Sequence, residues 1–508
     1  MSTSAIALSR RGVRFRGRAA DAALALLIAA IAAGLTWFTT HVGELKGMIA
    51  VFAVTSLVWL ATTRRTLLAL AVFMIYIGAF DGYLKLSSGS QVVTLVRDAL
   101  LYAIAAGLLV RAQVQRTRLT LPPLSWWVLG FVVLVLVQLV NPRNGTFLHS
   151  LGGVRQHLEF VPLFFITFAF VRTTKALRST VILLLVIASA NGVVSFYQFK
   201  LTPQQMAAWG PGYAERVLGQ GRFVASARTF AAEGKQTQVR PFGLGSDAGA
   251  GGVIGGFALG GVAALAARFG RLRYQLFAVA MAIGAIVAIV TSQGRGAVLC
   301  AVAIALTYAL LLATSRRGMG AFLGLAIAAA VSVFAIQAVV GSLGTSALRY
   351  QGLTASKIVE TTNKAREGTP AAIQEAITKY PFGGGLGIGG PAGDLPGAGE
   401  LDGQVNAESE FAFMTYEAGV PGMLLLTAFP IMLLALGFLR LRDEPDAEAR
   451  TLLAALLAPV AGTLLLYYPG IPTVTTPTGP YLWAIGGIVA YWLVARPAAR
   501  RREQAAIP

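Results

Sequence analysis

Cysteine is nearly missing from this 508-residue chain: there is one, Cys300, inside an apolar run. That excludes an internal disulfide and a thiolate metal cluster. Histidine is almost as scarce. Two of the three, His149 and His157, lie close together, a thin basis for a metal centre, and no metal or cofactor is expected. Charge is the third scarcity. Charged residues make up 13% of the chain, where a soluble protein carries about a quarter. Acid is scarcer than base, with 22 Asp and Glu against 42 Lys and Arg, a formal net charge of +20. In a soluble chain that excess points to nucleic acid. Here the placement of the bases removes that reading.

What is abundant is apolar sequence: 56% of residues are hydrophobic. The runs are long and continuous rather than alternating, so helices are expected and not a β-barrel. Stretches that suit a membrane-spanning helix are 20–39, 47–62, 66–84, 91–110, 124–140, 158–171, 180–198, 248–267, 274–292, 296–314, 319–340, 411–438, 452–468 and 480–495. The expected fold is therefore all-α and polytopic, with about fourteen spans in a single membrane domain. The first span has too long an apolar run for a cleaved secretory signal, and further spans follow it, so it reads as an uncleaved anchor.

Arginine sets the orientation. Arg10, Arg11, Arg14, Arg16 and Arg18 precede the first span. With that end in the cytoplasm, every second connection also faces inward and is basic. Those connections hold Arg64 and Arg65; Arg111, Arg116 and Arg118; Arg172, Lys175 and Arg178; Arg268, Arg271 and Arg273; Arg316 and Arg317; Arg440, Arg442 and Arg450. The tail adds Arg496 and Arg500 to Arg502. The positive-inside rule thus accounts for most of the excess, and both termini are expected in the cytoplasm. Two connections, 199–247 and 341–410, are long and extracytoplasmic on this count. Loops of such length usually carry function or are disordered.

Several polar residues on the outward side are candidates for chemistry. Arg295 lies in Thr291-Ser292-Gln293-Gly294-Arg295-Gly296-Ala297, a tight turn between two spans. A guanidinium at that depth is costly without an anionic partner. Arg240 ends the first long loop, just before Ser246-Asp247, read as the N-cap of the next helix. An arginine beside a helix N-terminus suits a phosphate. Arg155 sits at the mouth of a span, with Glu159 four residues on as a simple partner. Arg97 and Asp98 read as neutralising each other. Glu408 and Glu410 open the span after the second loop and suit a base, an orienting group or an arginine partner. Favourable interaction with the helix N-terminus explains them equally well. Glu417 follows Glu410 by two turns. Gly385, Gly387 and Gly390 fit the dinucleotide spacing, but no strand or βαβ unit surrounds them. The glycines and alanines of the spans, densest from Gly249 to Gly261, read as close helix packing.

Three patterns together resemble the O-antigen ligase and O-antigen repeat-unit polymerase superfamily of bacterial envelope glycosyltransferases. Ser292-Gln293-Gly294-Arg295-Gly296-Ala297 is similar to that family's Ser-Arg-Gly turn, with two residues inserted. Arg366 followed by Tyr380-Pro381-Phe382-Gly383-Gly384-Gly385-Leu386-Gly387 resembles its arginine and glycine-rich segment. Glu408-Ser409-Glu410-Phe411 through Glu417-Ala418-Gly419-Val420-Pro421-Gly422 resembles the start of its catalytic helix. Arg240-Pro241-Phe242-Gly243 is similar to a fourth, weaker signature. Glu408 stands where the ligases carry histidine, which points toward the polymerases. The resemblance covers roughly residues 235–440. It implies a metal-independent enzyme on the outer face of a bacterial cytoplasmic membrane that joins undecaprenyl-diphosphate-linked repeat units into a polysaccharide. On this reading the diphosphate falls to Arg240 and Arg295 first, then to Arg155 and Arg366. It gives the acceptor hydroxyl to Glu408 or Glu410, with 341–410 lid-like over the site. The implied partners are the lipid-linked oligosaccharide and membrane lipid, with a chain-length regulator and a flippase as further candidates. A ligase that moves finished glycan to a lipid or protein is the alternative within enzymes. A glycan or anion transporter is the alternative outside them.

Overall fold

The computed structural model describes residues 54–89, 92–116, 120–219, 228–230, 238–267, 272–313, 368–390 and 409–505. Eight of the described helices are long and apolar enough to cross a membrane. They are α1 (Thr66–Ser88), α2 (Val92–Val114), α6 (Thr174–Gln198), α10 (Leu272–Thr291), α11 (Arg295–Leu312), α13 (Glu410–Arg440), α14 (Ala447–Leu465) and α15 (Thr478–Arg501). Shorter apolar helices are α3 (Ser125–Val137), α5 (Pro162–Phe170) and α9 (Ala250–Ala266). The chain is therefore a mostly helical, multi-pass membrane protein. The spans expected at 20–39 and 319–340, and residues 47–53 of the one expected at 47–62, lie outside the described residues.

The chain divides into two compact units. Among described residues the smaller holds 54–65 and 102–116. There Arg111 donates to Ala61 O (3.1 Å) and Thr63 O (3.0 Å), capping the helix over 54–62. The larger unit holds the other described residues.

Its centre is α9, packed against α6, α10, α11 and α14. The glycines permit backbone-to-backbone approach, as small residues do between membrane helices. A Cβ added to Gly255 would stand 2.6 Å from Ala285 O. Where α6 meets α10 the approach is closer still, since a Cβ on Gly192 would lie 2.0 Å from Gly284 O. Gly192→Ala must push the two helices apart. The expected cost is about 1–3 kcal/mol, read as a lower melting temperature in detergent, while alanine at exposed Val193 changes little.

One expected span is not a single helix. Over 158–171 the structure has α4 (Phe147–Leu158), a break, and α5 starting at Pro162. Proline has no N–H to continue the ladder, and Glu159 in the break is turned to buried arginines described below.

The bundle has two polar ends. At one, Asp446 caps α14, accepting from Glu448 N (2.9 Å) and from Thr174 Oγ1 (2.7 Å). Arg178 pairs with Glu448, and Arg496 with Glu444 (3.1 Å). Burial opposes ionisation of Asp446, but the Thr174 hydroxyl and the backbone N–H groups of Ala449 and Glu448 outweigh it, holding its carboxyl below the ordinary range. Because the folded state is the more acidic, Asp446 stabilises the protein above its unfolded pKa near ~4. That stability is lost as pH falls through the lower, folded value. Asp446→Asn is expected to flatten melting temperature against pH between about 5 and 3, and Asp446→Ala to cost about 1 kcal/mol at neutral pH.

At the other end, the described part of the first long loop is built. Helices α7 (Pro203–Ala207) and α8 (Pro211–Leu218) and a two-residue antiparallel pair, β1 (Thr229–Phe230) with β2 (Gln238–Val239), lie here. Leu86, Met206, Tyr213, Val217, Val239 and Phe242 form their core. Helix α12 (Thr369–Lys379) precedes the glycine-rich segment at the same end.

Candidate functional site

Two amides inside α6 hold the Arg240 loop. Gln198 Oε1 accepts from Phe242 N (2.9 Å) and Gly243 N (2.8 Å), and its Nε2 donates to Gly243 O (2.9 Å). Asn191 Oδ1 accepts from Leu244 N (2.8 Å) while its Nδ2 donates to Gly78 O (3.0 Å). Gly243 takes φ +65 in this turn, a region closed to most side chains. Asp247 is not the N-cap. It pairs with Arg228 (3.2 Å), and Gly249, at φ +89, caps α9 instead. Arg228 belongs to the β-pair side of the loop, so the carboxylate is used to close the loop rather than to cap the helix.

The Arg240 guanidinium reaches from this loop to the turn before α11. A Cβ on Gly249 would stand 3.8 Å from its Nη2, and one on Gly294 3.7 Å. Arg240 and the Arg295 turn are thus brought together, between the N-termini of α9 and α11. In the turn, Ser292 Oγ donates to Ile289 O (2.7 Å) and accepts from Gly294 N (3.2 Å). Gln293 is buried at φ +52, a conformation uncommon for a side-chain-bearing residue. Arg295 opens α11 and is half-buried. Its Nε is buried with no hydrogen-bond partner among the described residues. The Arg240 guanidinium beside two helix starts, one of them opened by Arg295, makes an anion-attracting corner.

The end of α14 connects this corner to Glu410. Leu466 Cδ2 would lie 3.7 Å from a Cβ on Gly296. The next residue, Tyr467, accepts from Glu410 N (2.8 Å). Glu410 is buried, not at an open mouth. Its carboxylate accepts from Thr473 N (3.1 Å) and from the Thr473 hydroxyl. Glu408 and Arg366 lie outside the described residues.

Arg155 is placed in a buried charge network. Arg97 Nη2 donates to Glu159 (2.6 Å), its Nη1 to Asp81 (3.3 Å), and its Nε is 3.5 Å from Asp98. Arg155 Nε donates to Asp98 (2.5 Å), and its Nη2 is 3.8 Å from Glu159. Adjacent Arg97 and Asp98 are therefore not a self-contained pair, since each has its shortest contact elsewhere. Glu159 serves Arg97 more closely than Arg155. Asp81 follows a π-helical turn, Tyr76–Phe80, and also accepts from Thr476 (3.3 Å). The 473–476 segment thus bonds both Glu410 and Asp81.

The strongest hub at this end is Glu417, which the sequence offered only as a neighbour of Glu410. It is wholly buried. It accepts from His157 Nε2 (2.6 Å), Gln156 Nε2 (3.1 Å) and Gly389 N (2.9 Å). Other side chains clamp the same glycine segment. Gln138 donates to Phe382 O (2.6 Å), Asn141 to Gly383 O (3.1 Å), and Asn144 accepts from Leu386 N (2.8 Å). His149 Nε2 bonds Gly387 O. Gly419 breaks the helix ladder at φ +71, where a Cβ would stand 2.5 Å from Pro381 O. Residues 381–390 are therefore fixed to α3, α4 and α13. The rest of the segment expected to act as a lid lies outside the described residues. A signal was available: amides and histidines recur from 138 to 157 at the end of otherwise apolar helices.

Comparison of the chain with protein-family models, curated proteins and solved structures finds no match.

Proposed function

We propose that this protein is a glycosyltransferase that extends a polysaccharide from undecaprenyl-diphosphate-linked repeat units at the outer face of a bacterial cytoplasmic membrane. The observation that carries the reading is the meeting of Arg240 with the Arg295 turn at two helix N-termini, in a protein built of membrane spans. The acceptor hydroxyl attacks the anomeric carbon. The bond from that carbon to the diphosphate oxygen breaks, and the diphosphate leaves with the electron pair. Preorganised cations stabilise the developing charge where water is scarce. Arg295, whose Nε has no hydrogen-bond partner among the described residues, is available for this. Arg155 is already committed to Asp98 and belongs with the supporting charges. The hydroxyl proton passes to a carboxylate. Glu408 is the better candidate, because Glu410 spends its oxygens on Thr473.

The test is transfer in proteoliposomes supplied with a lipid-linked oligosaccharide. Longer glycan still attached to the polyprenyl diphosphate supports polymerisation. Glycan released from that lipid onto a second lipid or protein makes the enzyme a ligase. Solute uptake with no new glycosidic bond replaces both readings with a transporter.

A further inference from the structure

Near the Arg240 loop, α1 and α8 cross at close range. A Cβ on Gly212 would lie 2.9 Å from Leu86 Cα, and one on Gly89 2.9 Å from Pro211 Cγ. This crossing brings Lys85 and Arg216 into one another's field. Lys85 also feels Arg97, Asp81 and Glu159, but both acids are bonded to Arg97 and make no bridge to the lysine. Among the described residues Lys85 makes no ion pair. Tyr213 packs with Leu86, the residue after Lys85; its hydroxyl is buried with no hydrogen-bond partner among the described residues and lies in the field of Tyr83 and Arg216. Burial pushes that hydroxyl above its ordinary range, so it remains a donor at neutral pH. Glu215, the acid on α8, is exposed.

An aromatic shelf adjoins these donors. Trp209 stacks on Tyr197 (5.9 Å, 25°) and meets Tyr83 (6.4 Å) and Tyr213 (5.8 Å) edge-on. Tyr197 is 58% exposed and Tyr83 37%. Lys200 adds a cation 4.2 Å over exposed Phe196. Tyr83 and Tyr197 lie in the last turns of α1 and α6, at the level where a span leaves the bilayer. Aromatic rings with basic side chains at that level suit the headgroup layer.

We infer that Lys85, Arg216 and Tyr213 bind the phosphate of an anionic bilayer lipid, with the Tyr83–Trp209–Tyr197 shelf seated against its glycerol and upper acyl chain. The inference rests on the membrane character of the chain and not on the transferase reading.

Trp209 is a built-in reporter. Wild-type protein and Trp209→Phe are placed in vesicles containing brominated phosphatidylglycerol or brominated phosphatidylcholine at equal mole fraction, and the Trp209 contribution is taken by difference. The expected result is a preference of at least about fivefold for the anionic lipid in quenching Trp209, the scale of one basic residue at a charged membrane surface. Lys85→Gln with Arg216→Gln removes the preference, and Tyr213→Phe, which keeps the packing, weakens it. Equal quenching by both lipids in the wild type overturns the inference. So does a preference that survives the double substitution, or one abolished by inorganic phosphate, which would assign the donors to a free anion.

Discussion

Glu417→Ala is expected to leave little folded protein. Removing the carboxylate strands the His157 donor and the N–H of Gly389 inside the bundle, and leaves the Gln156 amide with its longer bond to Gly389 O (3.3 Å). Each buried donor left without an acceptor costs about 1–3 kcal/mol. Two of them, together with the cavity left by the side chain, rival the lower part of the roughly 5–15 kcal/mol by which a typical protein is stable. The loss concentrates on the glycine segment, because Glu417 joins it to both α4 and α13. Glu417→Gln keeps the shape and one good acceptor but turns an NH2 toward other donors, so its cost is intermediate. The measurement is monodispersity and melting temperature of the detergent-solubilised variants. Wild-type melting in Glu417→Ala would show that the segment is held without this hub.

Arg295→Ala is expected to behave in the opposite way. No described neighbour accepts a hydrogen bond from its Nε, so the folded state loses little, and melting is expected within about 2 °C of wild type, as for a substitution away from packed or paired features. Glycan transfer, by contrast, falls about 10²–10³-fold, the scale for removing one preorganised donor from a developing anion. Arg295→Lys recovers only part of the rate, since an ammonium lacks the forked geometry. Wild-type transfer by a normally folded Arg295→Ala protein would remove the diphosphate from this corner. Arg155→Ala separates the two kinds of arginine: its partner Asp98 is left without its shortest contact, so melting temperature falls before any kinetic effect is read.

The spans were legible because hydropathy is a local property, and those described as long helices fall where continuous apolar sequence puts them. The exception at 158–171 shows how averaging fails, since one glutamate and one proline vanish in an apolar window yet decide the backbone. Arg240 and Arg295 were legible from their turns. Their sidedness already placed them at one end, although only the fold could bring them together. The partners of Arg97 and Asp98 were not legible, since each takes its shortest contact from a residue more than fifty positions away. The Glu417 hub was hidden for the same reason: its donors lie 28 to 261 positions from it. Asp247 does not cap the helix because Arg228, just before β1, claims the carboxylate that a local motif gives to the helix.

The network around Arg97 also bears on how the protein is made. Asp81 belongs to α1, Arg97 and Asp98 to α2, Arg155 to α4 and Glu159 to the break that follows it. An arginine or aspartate costs about 2.5–3.5 kcal/mol at the centre of a helix that enters a bilayer alone, and less toward the helix ends where these residues lie. As the chain emerges from the ribosome, α2 is therefore a reluctant segment until α1 is beside it, and neither is fully neutralised until α4 arrives. The charges make the three helices a unit of membrane insertion, and a chain interrupted before α4 would present the quality-control machinery with uncompensated charge.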